Sequence, residues 1–438
     1  MISTWSDSTN LPTFDSLTQD IQTDVLIIGG GIAGILCAYM LEQENVNYAL
    51  VEANRICSGV TKNTTAKITS QHGLIYHKLI QRFGVENARL YLEANESAIR
   101  KYQELTQLTD CSFEQKNAFV YALKNEKKIE QELEALHKIG YRAEFAKNLP
   151  LPFEVSGAVK FTNQAQFNPL QLLAHIAKPL RIYEHTKVQE LAHHTALTPH
   201  GKITASKIIV ATHFPFLNKH GSYFLKMYQS RSYVLALENA QAVNGMYIDE
   251  NDKGLSFRNH KNLLLLGGGS HRTGKDGGNW KELSSFAQKY YPNSTVRYKW
   301  ATQDCMTLDE MPYIGPYSKN TDDLYVATGF HKWGMTSAMV SALLLRDLIL
   351  EKKNPYQELF SPSRTILRPQ LLVNAFETTT NFLIPTTKRC PHLGCALKWN
   401  PCERSWDCPC HGSRFTEQGK LIDNPATDDL TVSSKEVQ

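Results

Sequence analysis

The sequence comprises 438 residues, 42% of them hydrophobic, and is therefore long and apolar enough to form substantial cores in more than one domain. The formal net charge of +4 is small for this length, and no long Lys/Arg run is present, which argues against a nucleic-acid partner or a basic membrane patch. Residues 1–20 lack the regions of a signal peptide and the apolar run over residues 25–41 contains four glycines, so we expect a cytoplasmic protein without a transmembrane segment.

The first predicted elements form a nucleotide-binding unit. An apolar run over residues 23–28 predicts a buried parallel strand, and the sequence GGGIAG over residues 29–34 then fits G-x-G-x-x-G. Residues 35–44 predict a helix, and residues 48–51 predict a second strand that ends in Glu52, about 20 residues beyond the glycines. This order of strand, glycine turn, helix, strand and acid predicts dinucleotide binding.

Each special residue of this unit has a separate expected role. Gly29 allows the tight turn, Gly31 lets the backbone approach a pyrophosphate, and Gly34 lets the helix pack closely on the strand. The N-terminus of the helix stabilises the phosphate charge. The Glu52 carboxylate is expected to hold a ribose hydroxyl.

The segment after Glu52 favours FAD over NAD. It contains a Ser58-Gly59 turn and the small polar stretch TTAKIT over residues 64–69, which includes Thr65. These features resemble the D-amino-acid oxidase superfamily of FAD-dependent oxidoreductases, in which such segments run past the flavin. The resemblance implies that FAD is the cofactor and that Ser58 and Thr65 contact it.

Three later segments match the same family in the same order. Residues 186–188 end a predicted strand where the family contacts adenine, which implies a contact from Val188. Residues 207–212 resemble the strand before the second dinucleotide turn, although His213 stands where glycine is usual. Residues 324–328 lead into a closing motif and a helix to residue 350, whose N-terminus faces the flavin in the family. In this motif the resemblance implies flavin contacts from Gly329, Gly334, Met335 and Thr336.

The resemblance covers about residues 20–360 and implies a discontinuous architecture. The predicted fold is an α/β, Rossmann-like FAD-binding domain of the glutathione-reductase type with an α+β substrate or cap domain. Long helices are predicted over residues 82–105 and 126–139. The predicted segments are 1–75, 150–215 and 300–360 for FAD binding, 76–149 and 216–299 for the cap, 361–384 for a linker and 385–438 for a separate C-terminal domain.

A second glycine-rich stretch, LLLLGGGS over residues 263–270, resembles another dinucleotide turn. Arg272 occupies the position of its last glycine, and no strand ending in an acid follows at the right distance. We therefore expect a structural turn near the flavin, and NAD(P)H as electron donor is not supported.

Candidate catalytic residues are few. Arg231 could clamp a substrate carboxylate through two parallel hydrogen bonds, or it could satisfy a structural partner. His271, His331 and Lys332 lie beside segments that contact flavin in the family, where they would anchor substrate or tune the flavin, or merely line a loop. A covalent flavin link through Cys305 is not expected, because the register differs from that of relatives with such a link.

The C-terminal region contains the most specific motif. Cys390 and His392 form C-x-H, and after fifteen intervening residues Cys408 and His411 form C-x-x-H. Two thiolates and two imidazoles in this order suit a Rieske [2Fe–2S] centre, in which cysteines hold one iron and histidines the other. Paired Cys and His could also hold zinc.

An additional cysteine in each loop favours the cluster. Cys395 and Cys410 follow the ligands, and the motif resembles the Rieske proteins of respiratory and photosynthetic cytochrome complexes. The resemblance extends to Gly394, Pro409, Gly412 and Ser413, and it implies that Cys395 and Cys410 form a disulfide between the two loops.

Two departures from those Rieske proteins have consequences. Phe415 replaces a tyrosine whose hydroxyl bonds a cysteine ligand in that family, so we expect a lower reduction potential. Residues 371–387 have room for a helix and one extended segment, where a typical domain places several strands. The resemblance therefore implies a small, shortened all-β Rieske domain over residues 385–438. A unit this small is expected to need the cluster, the disulfide or the face of the larger domain.

These patterns predict an FAD-dependent oxidoreductase. It would oxidise a small organic substrate, an amine or amino acid by family analogy, and pass electrons singly through the Rieske cluster to a protein, a quinone or dioxygen. Two alternatives stay open at this stage. One is a simple flavin oxidase that uses dioxygen and carries a structural Rieske tail, and the other is a non-catalytic electron-transfer or redox-sensor protein.

Overall fold

The computed structural model describes residues 2–217, 220–365 and 367–430. Within them the α-helices are α1 (Thr4–Asp7), α2 (Ile32–Gln43), α3 (Tyr76–Leu105), α4 (Glu126–Lys138), α5 (Pro169–Ile176), α6 (Tyr223–Lys226), α7 (Asn279–Tyr290), α8 (Gly334–Ile349), α9 (Gln357–Phe360) and α10 (Pro369–Leu383). Short 3₁₀ turns cover Val60–Asn63 and Thr106–Leu108.

The strands of the described residues are β1 (Ile21–Ile28), β2 (Tyr48–Val51), β3 (Lys67–Ile68), β4 (Glu114–Ala122), β5 (Glu144–Ala146), β6 (Gly157–Gln166), β7 (Ile182–Tyr183), β8 (Glu190–Ala192), β9 (Thr195–Thr198), β10 (Gly201–Val210), β11 (Met227–Glu238), β12 (Met246–Asp249), β13 (Ser256–His260), β14 (Leu263–Arg272), β15 (Thr295–Thr307), β16 (Tyr313–Pro316), β17 (Leu324–Thr328), β18 (Lys398–Asn400), β19 (Ser405–Asp407), β20 (Arg414–Thr416) and β21 (Leu421–Asp423). They form three sheets.

The first sheet has the order β16-β17-β10-β1-β2-β7, with β9 and β8 added beside β10. Its inner pairs are parallel, and β1 lies between β10 and β2. Leu26 and Ile27 of β1 are fully buried, as expected for a parallel strand covered on both faces. The predicted strand, turn, helix and strand are therefore confirmed as β1, α2 and β2, with α2 beginning at Ile32 instead of residue 35.

The third glycine of the turn is required by packing. A Cβ atom at Gly34 would lie 1.8 Å from the carbonyl oxygen of Gly29, which real structures do not tolerate. Gly29 itself has a φ of 114°, a conformation that side chains rarely adopt. The turn therefore brings the N-terminus of α2 directly to the end of β1.

The second sheet has the order β15-β11-β14-β13-β12-β4-β6-β3, with β5 beside β6. The two long helices predicted on it are confirmed as α3 and α4, although α3 begins at Tyr76 and is kinked at Gly84. The structure differs from the predicted segment boundaries at two places. Residues 157–166 and 300–307, which were expected in the FAD-binding domain, belong to β6 and β15 of this sheet, because both strands are long and pair with β4 and β11.

The turn predicted over residues 263–270 is wrong. These residues lie in β14, a continuous strand that pairs with β11 on one side and β13 on the other. Its glycines serve close packing, since a Cβ atom at Gly267 would lie 2.6 Å from Ser256 and one at Gly268 would lie 2.6 Å from Leu255. The β11–β14 register shifts between Arg231 and Tyr233, where β14 has one extra residue next to its glycines.

The third sheet is antiparallel, with the order β18-β19-β20-β21, and forms the small C-terminal domain. Among the described residues no strand lies between α10 and Cys390, apart from an isolated bridge between Arg389 and Ala396. The shortened domain is therefore confirmed. No helix in the described part of the chain is long and apolar enough to cross a membrane.

Candidate functional site

A cavity of about 560 Å³ lies between the first and second sheets. It is bounded by the glycine-rich turn, by the segment after β2 and by the N-terminus of α8. Most of the residues that the sequence places at FAD line this one cavity, namely Gly29, Gly31, Glu52, Ser58, Thr65, Val188, Gly334 and Met335. The fold thus brings together residues as distant in sequence as Gly29 and Met335, which are 306 positions apart.

The remaining three predicted FAD residues, Gly34, Gly329 and Thr336, do not line the cavity but pack against the elements that form its wall. Gly34 packs on the turn, as described above. Gly329 has a φ of 71°, and a Cβ atom there would lie 2.4 Å from Thr307. The Thr336 hydroxyl lies 2.9 Å from Nε2 of His72 and donates to the carbonyl oxygen of Thr69.

The dinucleotide end of the cavity fits its expected ligand. Glu52 follows β2, and its carboxylate accepts hydrogen bonds from the backbone N–H groups of Gly30 (2.7 Å) and Asn54 (2.9 Å). Burial raises the pKa of Glu52 above its usual range. The chain presents glycine backbone and a helix N-terminus beside an acid, which are the groups that hold a pyrophosphate and a ribose.

The four catalytic candidates separate into two pairs. His331 and Lys332 line the cavity, and the Lys332 ammonium bonds to the Ser270 hydroxyl (3.1 Å) and the Asp252 carbonyl oxygen (3.3 Å). Arg231 and His271 are not among the lining residues. His271 stacks on Tyr233 with the ring centroids 5.7 Å apart, and Arg231 faces the C-terminal domain.

Several charged residues of the cavity wall escaped the sequence reasoning. Lys67 is buried beside Thr65, and burial lowers its pKa to about 7. Burial raises the pKa of Asp304 to about 6, although Lys332 acts against that rise. His72 stacks on Trp333 at 4.7 Å. Lys67 stands in the two-residue strand β3 within a stretch of small residues, which was a detectable signal, whereas Asp304 in the long, mixed strand β15 had none.

The predicted cluster ligands lie together at the tips of two loops. The rings of His392 and His411 are 5.0 Å apart between centroids, and the thiols of Cys390 and Cys408 lie close enough to shift each other's pKa. Each loop is closed by a backbone bond, from the Gly394 N–H to the Cys390 oxygen and from the Gly412 N–H to the Cys408 oxygen, both 2.9 Å.

The disulfide between Cys395 and Cys410, which the resemblance implied, is present and joins the two loops. The sulfur atoms of Cys395, Cys408 and Cys410 lie within 4.8 Å of one another. Because two of these sulfurs are bonded to each other, only Cys408 of this group offers a thiolate.

The donor set fits a [2Fe–2S] cluster. Both ring nitrogens of His411 are buried without a hydrogen-bond partner among the described residues. Burial lowers the pKa of His411 to about 3 and that of His392 to about 4, which keeps both rings in the neutral form that binds metal. A hydrogen bond from Cys408 lowers the pKa of Cys390 to about 7 against the effect of burial, which favours a thiolate.

Ser413 and Phe415 surround the sulfur ligands. The Ser413 hydroxyl acts to lower the pKa of Cys390 and accepts a hydrogen bond from the Ala426 N–H (3.0 Å). Phe415 is fully buried among the cysteines of this domain and offers no donor. The cluster site therefore has a serine hydroxyl beside it but lacks a tyrosine hydroxyl.

We expect Phe415→Tyr to raise the reduction potential by on the order of 60–120 mV, since a hydrogen bond to a charged group contributes about 1.5–3 kcal/mol and 59 mV corresponds to a tenfold change for one electron. The new hydroxyl would stabilise the more negative, reduced state. Protein-film voltammetry measures the change, with Phe415→Leu as the control that adds no donor. An unchanged potential in Phe415→Tyr would refute this role for position 415.

The second ligand loop is held by side chains of the second sheet. Gln229 of β11 donates to the carbonyl oxygen of His411 (2.9 Å), and Gln303 of β15 donates to that of Gly412 (2.8 Å). Arg272 donates to the carbonyl oxygens of Pro409 (2.9 Å) and Cys410 (3.0 Å). Arg272, the residue that stands at the last position of the second glycine-rich stretch, therefore holds the cluster loop.

A buried ion network joins the same two domains. Arg231 pairs with Glu403, whose carboxylate also accepts from the Tyr233 hydroxyl (3.1 Å) and from Arg414 (2.9 Å). Arg414 in turn pairs with Asp407 at 2.9 Å. Arg231, Glu403 and Arg414 expose at most 5% of their side chains. The sequence allowed Arg231 to bind either a substrate carboxylate or a structural partner, and in the structure its partner is Glu403.

Comparison with known proteins agrees with this architecture. Residues 24–348 match the family described as FAD dependent oxidoreductase, and residues 365–434 match the Rieske [2Fe-2S] domain. A putative Rieske 2Fe-2S iron-sulfur protein of Bacillus subtilis, YhfW, is 37% identical, with 96% of this chain and 95% of that protein covered. Gamma-glutamylputrescine oxidoreductase of Escherichia coli is 23% identical over 77% of this chain and 85% of its own length.

Solved structures share the fold of the larger part. Glycine oxidase from Geobacillus kaustophilus superposes with a TM-score of 0.67 at 18% identity, covering 79% of this chain and 99% of that one. L-proline dehydrogenase from P. horikoshii gives 0.66 at 18% identity, with coverages of 79% and 98%. The C-terminal region is similar to a cytochrome b6-f complex iron-sulfur subunit of Nostoc, with 38% identity over 63 residues, 14% of this chain and 34% of that protein.

Proposed function

Since this chain belongs to the FAD dependent oxidoreductase family and carries a C-terminal Rieske [2Fe-2S] domain, we propose that it oxidises a small amine or amino acid and delivers the electrons singly to an acceptor. When bound, FAD accepts a hydride from such a substrate, and the cluster exchanges one electron at a time. The residues of the chain bind and orient the substrate and fix the two redox sites beside each other.

One observation carries the proposal: the C-terminal domain forms part of the wall of the cavity. Asp423 and Asn424 line it together with the residues expected at FAD. Asn424 donates to the backbone carbonyl oxygens of Thr212 (2.6 Å) and Phe214 (2.7 Å), which fixes this wall to the end of β10. A domain that served only as a separate tail would have no need to close the flavin cavity.

The same segment brings the two sites close. His213 lines the cavity, and the adjoining Phe214 meets the His392 ring edge to face with the centroids 6.5 Å apart. His213, which stands where the family has glycine, adopts a φ of 67°, and its carbonyl oxygen accepts a hydrogen bond from the Thr328 hydroxyl (2.5 Å). Two residues of one strand end therefore span from the cavity wall to an expected cluster ligand.

The charges of the cavity suit an amine or an amino acid. The Lys332 ammonium lies at the wall and can pair with a carboxylate, and the Asp304 carboxylate lies near it and can hold an ammonium group or take its proton. Three of the similar proteins, gamma-glutamylputrescine oxidoreductase, glycine oxidase and L-proline dehydrogenase, are named for substrates that are amines or amino acids. A protein, a quinone and dioxygen are all candidate electron acceptors.

The test is low-temperature EPR of the anaerobically purified full chain beside its visible spectrum. Reduction with dithionite is expected to give a rhombic Rieske signal with an average g value below that of the free electron. A panel of amines and amino acids is then added without dithionite. The active substrate is expected to bleach the flavin and to produce the same EPR signal, which would demonstrate transfer between the sites.

Other results would refute separate parts of the proposal. Zinc in place of iron, with no EPR signal, would make the C-terminal domain structural. Flavin that bleaches with substrate while the cluster stays oxidised would indicate a simple oxidase. Flavin that no small molecule bleaches, but that a protein donor reduces, would indicate an electron-transfer protein.

A further inference from the structure

Helix α10 turns its polar side, and not its apolar side, toward the rest of the protein. Asn374 and Asn381 are buried, and Asn374 accepts a hydrogen bond from Arg272 at 3.0 Å. Glu377, on the same side, pairs with Lys275 at 2.8 Å. These three residues lie within about 60° of one another around the helix axis, so the polar side of α10 faces the protein.

The opposite side of α10 is apolar and exposed. Leu372, Phe376 and Leu383 fall within about 40° of one another and roughly opposite the buried asparagines. They expose 74%, 67% and 72% of their area. A surface helix normally turns its apolar side to the core, and a large exposed apolar patch marks a site of interaction.

The apolar surface continues to the first cluster loop. Phe382, at the end of α10, is exposed, and its ring would be 3.4 Å from a Cβ atom at Gly394. Leu393, in the same loop next to His392, is also exposed. We call the surface formed by Leu372, Phe376, Phe382, Leu383 and Leu393 the α10 face.

Cations border the α10 face. Glu377 is the single acid between residues 361 and 395, and Lys275 neutralises it. Lys388 and Arg389 follow the helix, and the exposed Arg389 guanidinium bonds to the carbonyl oxygens of Phe382 (3.0 Å) and Ile384 (3.0 Å).

We propose that the α10 face is a membrane-docking surface that binds lipid bilayers with anionic headgroups. An exposed apolar helix side bordered by cations is the pattern of helices that lie in the membrane interface. A second copy of the chain fits less well, because a 15-residue helix is about 22 Å long and its apolar side alone offers less than the about 800 Å² that each partner buries in a stable interface. Docking in this way places the His392 loop next to the bilayer.

The test is co-sedimentation of the full chain with vesicles of phosphatidylcholine containing phosphatidylglycerol, and with vesicles of phosphatidylcholine alone. We expect binding to the anionic vesicles that weakens as salt is added, and weaker binding to the neutral ones. Phe376→Ser is expected to lower the partition coefficient at least about tenfold, because burial of one aromatic side chain is lost. Leu108→Ser, at an exposed leucine 49% accessible on another part of the protein, is the matched control and is expected to bind as the wild type does.

Three results would overturn the proposal. One is equal vesicle binding by the wild type and Phe376→Ser, and a second is no binding of the wild type to anionic vesicles. The third is a concentration-dependent dimer in sedimentation velocity that Phe376→Ser abolishes, which would assign the face to a second copy. Because exposed side chains are replaced, flavin content and thermal midpoint are expected to be unchanged, and both are measured on each variant. The binding assay needs no substrate, so it can fail while the proposed oxidation stands.

Discussion

Replacement of Cys408 by serine is expected to abolish the EPR signal of the reduced protein and to lower turnover with a one-electron acceptor at least about 100-fold. Reduction of the flavin by substrate should proceed at close to the wild-type rate. Cys408 is buried opposite Cys390, and serine is similar in size. The bonds from Gln229 and Gln303 that hold this loop reach backbone oxygens, so they do not depend on the thiol.

Anaerobic stopped-flow measurement of flavin bleaching separates the two half-reactions, and steady-state assays measure the whole. Cys402→Ser is the matched control, because Cys402 lies in the same domain, is exposed and stands outside the ligand set. It should retain both the EPR signal and turnover. Full turnover by Cys408→Ser would exclude the cluster from the electron path and favour direct reaction of the flavin with dioxygen.

Local spacing explains why part of this site could be predicted. The G-x-G-x-x-G turn and the C-x-H and C-x-x-H loops each have their groups within a few residues, so backbone geometry alone fixes the arrangement. A turn was wrongly expected over residues 263–270 for the same reason. Three consecutive glycines favour a turn locally, but β14 pairs on both sides, and these pairs outweigh the local preference.

The joining of the domains could not be predicted, because its partners are remote in sequence. Arg231 and Glu403 are 172 positions apart, and neither has a neighbour that identifies the other. A lone arginine near a flavin segment suits a substrate carboxylate as well as a protein carboxylate. The orientation of α10 was equally hidden, since its sequence is amphipathic but does not indicate which side meets the protein.

A second large effect is expected for Arg231→Met. The change removes one cation from a buried ion network, and loss of one partner of a buried pair costs about 3–5 kcal/mol. Glu403 keeps Arg414 and the Tyr233 hydroxyl, so the C-terminal domain should stay folded but dock less well. We expect faster proteolysis in the segment around α10 and slower electron delivery to the cluster, with unchanged FAD content.

Lys187→Met provides the matched control. Lys187 also joins the two domains, through the Thr427 carbonyl oxygen and a 4.0 Å pair with Asp428, but that pair is largely exposed. Exposed pairs contribute about 0–1 kcal/mol, so its loss should leave docking almost intact. The contrast between the two variants measures how much the buried position of Arg231 adds to docking.

Arg231→Met also decides between the two roles that the sequence allowed for Arg231. If Arg231 docks the C-terminal domain, its replacement slows electron transfer to the cluster and leaves the KM for substrate in flavin reduction unchanged. If Arg231 instead binds the substrate carboxylate, its replacement raises that KM and leaves the rate of proteolysis of the C-terminal domain unchanged. Because Glu403 already occupies the guanidinium and Arg231 does not line the cavity, we expect the first result. A raised KM with normal docking would mean that Arg231 leaves Glu403 when substrate binds.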